Sequence, residues 1–171
     1  MEGDESDFDE FTRRMMPSLY RAAFVLCGGH ETAEDLAQSA LLKVYRSWGR
    51  RRAWQNPDAY ARRVLYTTFC SVWHQTRNSS PGEASEPTVD GGQLEVELAI
   101  DIRQALGRLP RRARAVVVLR YLEGLSVEET AAVLGCSQGT VKSQTSRALK
   151  LMRVSMTSDE PAALGVHGDE H

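Results

Sequence analysis

Lys142, Ser143, Gln144, Ser146, Arg147 and Lys150 fall within nine residues, and no carboxylate lies among them. Cations, hydroxyls and a side-chain amide suit a nucleic-acid duplex: charge for phosphates, an amide and a guanidinium for base edges. A second set lies upstream, where Arg50, Arg51 and Arg52 precede Trp54, and Arg62 and Arg63 interleave with Tyr60, Tyr66, Phe69 and Trp73. Guanidinium groups beside rings are the chemistry of unpaired strands, because charge tracks phosphates while rings stack on exposed bases. The plain alternatives are a solvated basic helix face for the first set and a helical core for at least half of those rings. A third set pairs Cys27 with His30 and Cys70 with His74 at spacings that could serve zinc. Buried cysteine and helix-end histidine explain these more simply, so neither a metal nor another cofactor is expected. Cys136 is expected to pack beside a turn. No Gly-rich phosphate loop, nucleophile elbow or HExxH is recognised, and Glu128 and Glu129 belong to a helix start. The expectation is a non-enzyme.

The first set needs a rigid support, and the preceding residues supply one. Ser126 followed by Glu129 makes a capping box. Val127, Thr130, Ala131, Val133 and Leu134 then give one apolar helical face, ended at Gly135. Ser137 caps a second helix whose inner face carries Val141, Ala148, Leu149 and Met152. Small Ala131 at the crossing, glycine at the turn and Val141 as the plug make a helix-turn-helix, whose second helix enters the major groove in DNA readers. A helical hairpin without DNA remains the alternative at this point.

Upstream, Phe8, Phe11, Met15, Leu19, Ala22, Ala23 and Leu26 recur at helical spacing, with Pro17 expected as a break or the first turn of a new helix. Gly28 and Gly29 end this segment, and Thr32 is expected to cap the next helix. That helix should bury Ala33, Leu36, Ala37, Ala40, Leu41, Val44, Tyr45 and Trp48. After the basic loop Gly49 to Gln55, Asn56 caps and Pro57 opens a helix reaching about Gln75. From Asn78 to Gly92 the composition turns to Ser, Pro, Gly, Glu and Asp, a linker signature. Leu94 to Leu109 and Pro110 to Gly124 carry further helices, and no strand pattern persists. The fold class is therefore all-α. Two helical domains, 8–77 and 94–155, are expected on a flexible linker, 78–93, with a disordered tail, 156–171.

The 171 residues, 42% hydrophobic and 26% charged, suffice for one or two small soluble domains. No apolar run approaches a membrane span, and the start MEGDESDFDE is acidic where an export signal would be basic, so a cytoplasmic location without membrane insertion is expected. There the three thiols would be reduced. The net charge of −2 hides segregation. Bases crowd Lys43 to Arg63, Arg103 to Arg120 and Lys142 to Arg153, and local potential is what steers a polyanion.

Taken together, the chain resembles the sigma-70 family of bacterial RNA polymerase initiation factors, in its small extracytoplasmic-function group that keeps only regions 2 and 4. The matching residues are Ala33-Glu34-Asp35-Leu36-Ala37-Gln38 with Leu42 to Trp48, Asn56 to Leu65, Leu109-Pro110 through Tyr121, and Gly124 through Ser143. The resemblance implies that Asp35, Gln38 and Leu42 meet the β′ clamp helices of the polymerase core. It assigns recognition and opening of the −10 element to Arg50, Arg51, Arg52 and Trp54 in the loop and to Arg62, Arg63, Tyr66 and Thr67 in the helix. It assigns the −35 element to Lys142, Ser143, Gln144, Ser146 and Arg147, with the same unit packing on the β flap. Promoter DNA and polymerase core are the implied partners, and an anti-sigma factor is a further expectation with no residue-level signature.

Two departures matter. Tyr66-Thr67 stands where the family often has Val-Asn, and Gln144 where many relatives have Arg. A stand-alone repressor binding as a dimer, or a polymerase adaptor without DNA specificity, are the competing readings. The repressor would bind DNA unaided.

Overall fold

The structure, a computed structural model, describes residues 2–71 and 93–157. The predicted linker falls mostly, and the predicted tail almost wholly, outside the described residues. Among the described residues the chain is helical, with no strand. The helices are α1 (Glu2–Cys27), α2 (His30–Arg46), α3 (Pro57–Ser71), α4 (Gln93–Gly107), α5 (Arg111–Val117), α6 (Val127–Leu134) and α7 (Gln138–Thr157). A 3₁₀ turn, Trp48–Ala53, joins α2 to the approach of α3, and a π turn, Val118–Leu122, extends α5.

Helix α1 runs unbroken through Pro17, against the sequence expectation. A mid-helix proline costs about 3 kcal/mol. Here Phe11, Met15, Leu19, Ala22, Ala23 and Leu26 are all buried and keep helical register on both sides of it, so packing outweighs the lost hydrogen bond. Gly28, at φ +80, reverses the chain at once, and Gly29 becomes the N-cap of α2. Thr32 is therefore inside the helix, its hydroxyl donating back to the Gly29 carbonyl at 3.1 Å instead of capping. Asn56 behaves as expected: its Oδ1 accepts from the amides of Asp58 (2.9 Å) and Ala59 (3.3 Å).

The inner face of α2 is buried from Ala33 to Val44 between α1 and α3, but Tyr45 is half exposed rather than buried. Its ring leans on Phe8, 4.8 Å away, while Trp48 is buried from the 3₁₀ turn beyond α2. In the second unit, Val141 packs with Val116 and Ala131, and Ala148 with Leu106, Leu109, Ala113 and Val117. The two units also share a core: Leu65, Tyr66 and Phe69 of α3 join Ala115, Val118 and Leu119 in one apolar cluster.

Arginines of α5 fasten this junction. Arg114 donates to the carbonyls of Leu26 (2.6 Å), Gly107 (2.7 Å) and Leu109 (3.2 Å), and Arg111 to that of Phe69 (3.1 Å). These acceptors lie at or just past the C-terminal ends of α1, α4 and α3, where free carbonyls and the helix dipole favour a cation. Arg103 lies over the Phe24 ring at 4.9 Å, and Arg120 donates to the Leu125 carbonyl. Much of the middle basic block is thus structural.

Candidate nucleic-acid and polymerase interface

The helix-turn-helix forms by the local chemistry read from its sequence. Ser126 Oγ accepts from the Glu129 amide at 3.0 Å, and the Glu129 carboxylate accepts from the Ser126 amide at 2.7 Å. That backbone hydrogen bond, with the Ser126 hydroxyl, holds the Glu129 carboxyl below its usual range. Gly135 ends α6 at φ +62, and Ser137 Oγ accepts from the Thr140 amide at 3.1 Å. Gly135 to Gly139 does carry Gly-x-Ser-x-Gly spacing, unlike the sequence expectation. It forms a turn between two helices rather than a strand-to-helix elbow, and its serine is occupied as a cap.

With Val141 and Ala148 fully buried, α7 turns Lys142, Ser143, Ser146, Arg147 and Lys150 outward, while Gln144 is half-buried at the edge of that face. The five residues named for the −35 element therefore lie along one helix.

The residues named for the −10 element divide. Arg50 and Arg52 are exposed. Arg51 is mostly buried: it pairs with Asp7 at 2.8 Å and lies 5.1 Å from the Trp48 ring centre. Trp54 stacks on Tyr60 with centroids 4.0 Å apart and planes at 21°, which fixes the loop against α3. On α3, Arg63 and Thr67 are exposed, and the Thr67 hydroxyl is turned back to the Arg63 carbonyl at 2.7 Å. Tyr66 is wholly buried, its hydroxyl 3.4 Å from Glu123, and Arg62 Nε lies 3.8 Å from the same carboxylate. Burial, with Glu123 beside it, pushes the Tyr66 phenol far above its ordinary range. Half of the rings named in the sequence thus have a packing role here: Tyr66 and Phe69 are buried, Tyr60 is half-buried, and Trp73 lies outside the described residues.

On α2, Asp35, Gln38 and Leu42 are all exposed, with Leu42 at 54%. Their spacing places them on one stripe, continued by Tyr45. Gln38 donates to Glu34 at 3.1 Å.

Two ion pairs that position the loop and α3 were missed in the sequence. Arg14 forms a bidentate pair with Asp58 (2.7 and 2.8 Å), and Arg51 meets Asp7; each spans 44 residues, so no local pattern marks them. The Arg14 hydrogen bonds and charge hold the Asp58 carboxyl below its ordinary range. Because the folded value is depressed, the pair's contribution is complete above the unfolded value of about 3.9 and is lost as pH falls through the folded one. Both groups are partly exposed, so the stability change will be small. In an NMR titration, Arg14→Ala will raise the Asp58 midpoint; an unmoved midpoint would refute the pairing.

Burial pushes the Cys27 and Cys70 thiols up, against the opposing pull of Arg111 and Arg114 on the first and Arg112 and Arg111 on the second. His30 Nδ1 is 2.6 Å from the Tyr20 hydroxyl, and His74 lies outside the described residues. Among the described residues no three His, Cys, Asp or Glu side chains gather as a metal site, and no helix is long and apolar enough to cross a membrane.

Among the described residues the chain is all-helical, its first unit presenting an exposed stripe on α2 and a basic loop and its second a capped helix-turn-helix. Comparison with known proteins specifies the class. Residues 11–78 match the family description "Sigma-70 region 2", and residues 99–152 match "Sigma-70, region 4". The chain is 34% identical to the RNA polymerase sigma-E factor of Streptomyces coelicolor, over 98% of this chain and 96% of that one. It is 33% identical to the ECF RNA polymerase sigma factor SigM of Mycobacterium tuberculosis, over 85% and 75% respectively. Among solved structures, it is similar to the sigma factor RpoE of Bartonella quintana, in complex with the anti-sigma factor NepR. That match has a TM-score of 0.68 and 28% identity, covering 90% of this chain and 98% of that one. The chain belongs to the extracytoplasmic-function group of sigma-70 RNA polymerase sigma factors, regulatory initiation factors that direct polymerase to promoters and are not themselves catalysts.

Proposed function

We propose that this chain reads −35 duplex DNA with α7 and captures the −10 element with the loop and α3, while α2 docks on polymerase core. The observation that carries the reading is the outward face of α7, where Lys142, Ser143, Ser146 and Arg147 stand exposed over the buried Val141 and Ala148. An acid-free, rigidly supported helix face of this kind fits the major groove. The exposed Arg50, Arg52 and Arg63 supply charge for the −10 strand, and Tyr66 with Arg62 a site for an unstacked base. Asp35, Gln38 and Leu42 offer the β′ clamp helices a mixed polar and apolar stripe, and the β flap is the proposed seat of the second unit. By likeness to the Bartonella quintana factor, an anti-sigma protein is proposed as a further partner, and the cytoplasm as the place of action.

Run-off transcription from a promoter library tests the reading. Initiation that requires this protein together with core polymerase, at a shared −10 and −35 pair, supports it. A protein that shifts a palindromic DNA unaided and initiates nothing would be a repressor. Gln144 tests the −35 role more finely. Glutamine pairs bidentately with adenine and arginine with guanine, a difference of about 1–3 kcal/mol per base pair. Gln144→Arg should therefore shift the selected base at one −35 position from adenine to guanine by about tenfold or more. Selection of the same sequence by both proteins would remove Gln144 from the readout.

A further inference from the structure

A groove of about 450 Å³ opens beside α7, floored by Leu106 of α4, Val118 of the π turn and Leu149 and Met152 of α7. Ile102, Tyr121 and Leu122 stand along its rim, and they are three of the seven large apolar side chains left exposed among the described residues. Single apolar residues on a surface need no explanation, but a lined groove of this size marks a contact. Its walls carry one cation, Arg103. That guanidinium rests on the Phe24 ring, and its Nη1 is shut from solvent without a hydrogen-bond partner among the described residues. The groove therefore suits an apolar segment with a carboxylate beside it.

The residues that follow α7 have that composition. Asp159 and Glu160 come first, then Pro161, and Leu164 and Val166 stand two positions apart. Acids just past a helix C-terminus are unfavourable against its dipole, and the last turn of α7 has no basic residue to offset them. Proline at 161 disfavours continuing α7 in line. Alternate residues of an extended chain share one face, so Leu164 and Val166 can enter the groove together. The reach is ample. Leu149 lies about 12 Å back along α7 from Thr157, and an extended chain from Thr157 to Leu164 spans up to about 23 Å.

We propose that residues 158–171 fold back along α7 and occupy this groove, with Leu164 and Val166 on its apolar floor and the Asp159–Glu160 pair at Arg103. The tail is tethered, so it meets the groove at an effective concentration on the order of millimolar and needs only weak intrinsic affinity to stay. A partner that seats on this face of the second unit has to displace the tail. Its apparent affinity falls with the fraction of chains whose groove is free.

The test titrates a fluorescein-labelled peptide of residues 158–171 into two full-length proteins, wild type and the double variant Leu164→Asp with Val166→Asp. Both substitutions lie beyond α7, so the helical core is untouched. The double variant should bind the peptide and, as it does, shift the NMR methyl signals of Ile102 and Leu149 to the positions they already hold in peptide-free wild type. Wild type should bind the peptide at least about tenfold more weakly, because its own tail competes. Equal binding to both proteins overturns tail occupancy, as does binding to neither. Binding that leaves both methyl signals unmoved places the tail elsewhere and overturns it too. Self-association of the double variant without peptide binding, read by sedimentation, gives the groove to a second copy of the chain and likewise overturns the proposal. A peptide carrying Asp159→Asn and Glu160→Gln should bind the double variant about three- to tenfold more weakly at low salt, with the difference shrinking as salt rises. Equal binding of the two peptides at low salt would overturn the pairing with Arg103.

Discussion

Val141→Asp will unfold the helix-turn-helix and abolish −35-dependent initiation, whereas Lys142→Ala, one residue on, will leave the fold intact. Val141 has no exposed surface and seals α7 onto Val116 and Ala131. Losing its burial costs about 1.5–3 kcal/mol. A carboxyl group placed there without a partner adds about 2 kcal/mol or more. At roughly 0.1 kcal/mol per residue, helices α4 to α7 hold about 6 kcal/mol in all, so the substitution removes most of their stability. Hydrogen exchange should show protection lost along α6 and α7 but kept in α1 and α2. Tyr66 should lose protection as well, because Val118 and Leu119 share its cluster. A denaturation midpoint within about 0.5 kcal/mol of wild type would refute this account of the core. Lys142, exposed at the adjacent position, should give that small stability change and weaken DNA binding instead.

The contrast between neighbours shows what the sequence made legible. Caps are local chemistry: Ser126 with Glu129, Asn56 before Pro57, and Gly135 each act within one turn, so spacing alone located them. The apolar stripes of α2 and α7 are periodic and were read with the same ease. Where the reading failed, a distant partner decided. Pro17 stays inside α1 because residues on both sides of it are buried by other helices. Thr32 had the right side chain for a cap, but the backbone reversal at Gly28 started the helix three residues sooner. Arg51 looked equivalent to Arg50 and Arg52 until Asp7, 44 residues away, took it out of the exposed set.

Tyr66 carries the same lesson into the site. Its position in the family pattern marked it for DNA, but it is buried in a cluster with Val118 and Leu119, its hydroxyl meeting Glu123, 57 residues further on. No periodicity connects them across the residues between. The arginines of α5 were legible only as positive charge; their use on the carbonyl ends of three helices needs the tertiary arrangement. Composition could thus locate where bases are dense, but only packing separates those that face solvent from those that bind the chain to itself.

Leu42→Lys will weaken association with core polymerase by about ten- to a hundredfold without lowering the melting temperature. Leu42 is 54% exposed and Tyr45 50%, and with Asp35 and Gln38 they follow one stripe of α2. The opposite face, from Ala33 to Val44, is buried, so the stripe contributes little to the fold and substitutions on it should stay within about 0.5 kcal/mol. Burying a leucine side chain in a docked interface contributes about 1.5–3 kcal/mol, which converts to the stated change in dissociation constant. Lysine in its place must also be desolvated, adding to the loss. Arg63→Ala supplies the discriminating comparison, because Arg63 is exposed on α3 and proposed to meet DNA rather than polymerase. It should leave core affinity unchanged and slow promoter opening, while Leu42→Lys should slow initiation only when the factor is below saturation. If Leu42→Lys binds core as wild type does, the docking stripe lies elsewhere, and the assignment of Asp35 and Gln38 falls with it.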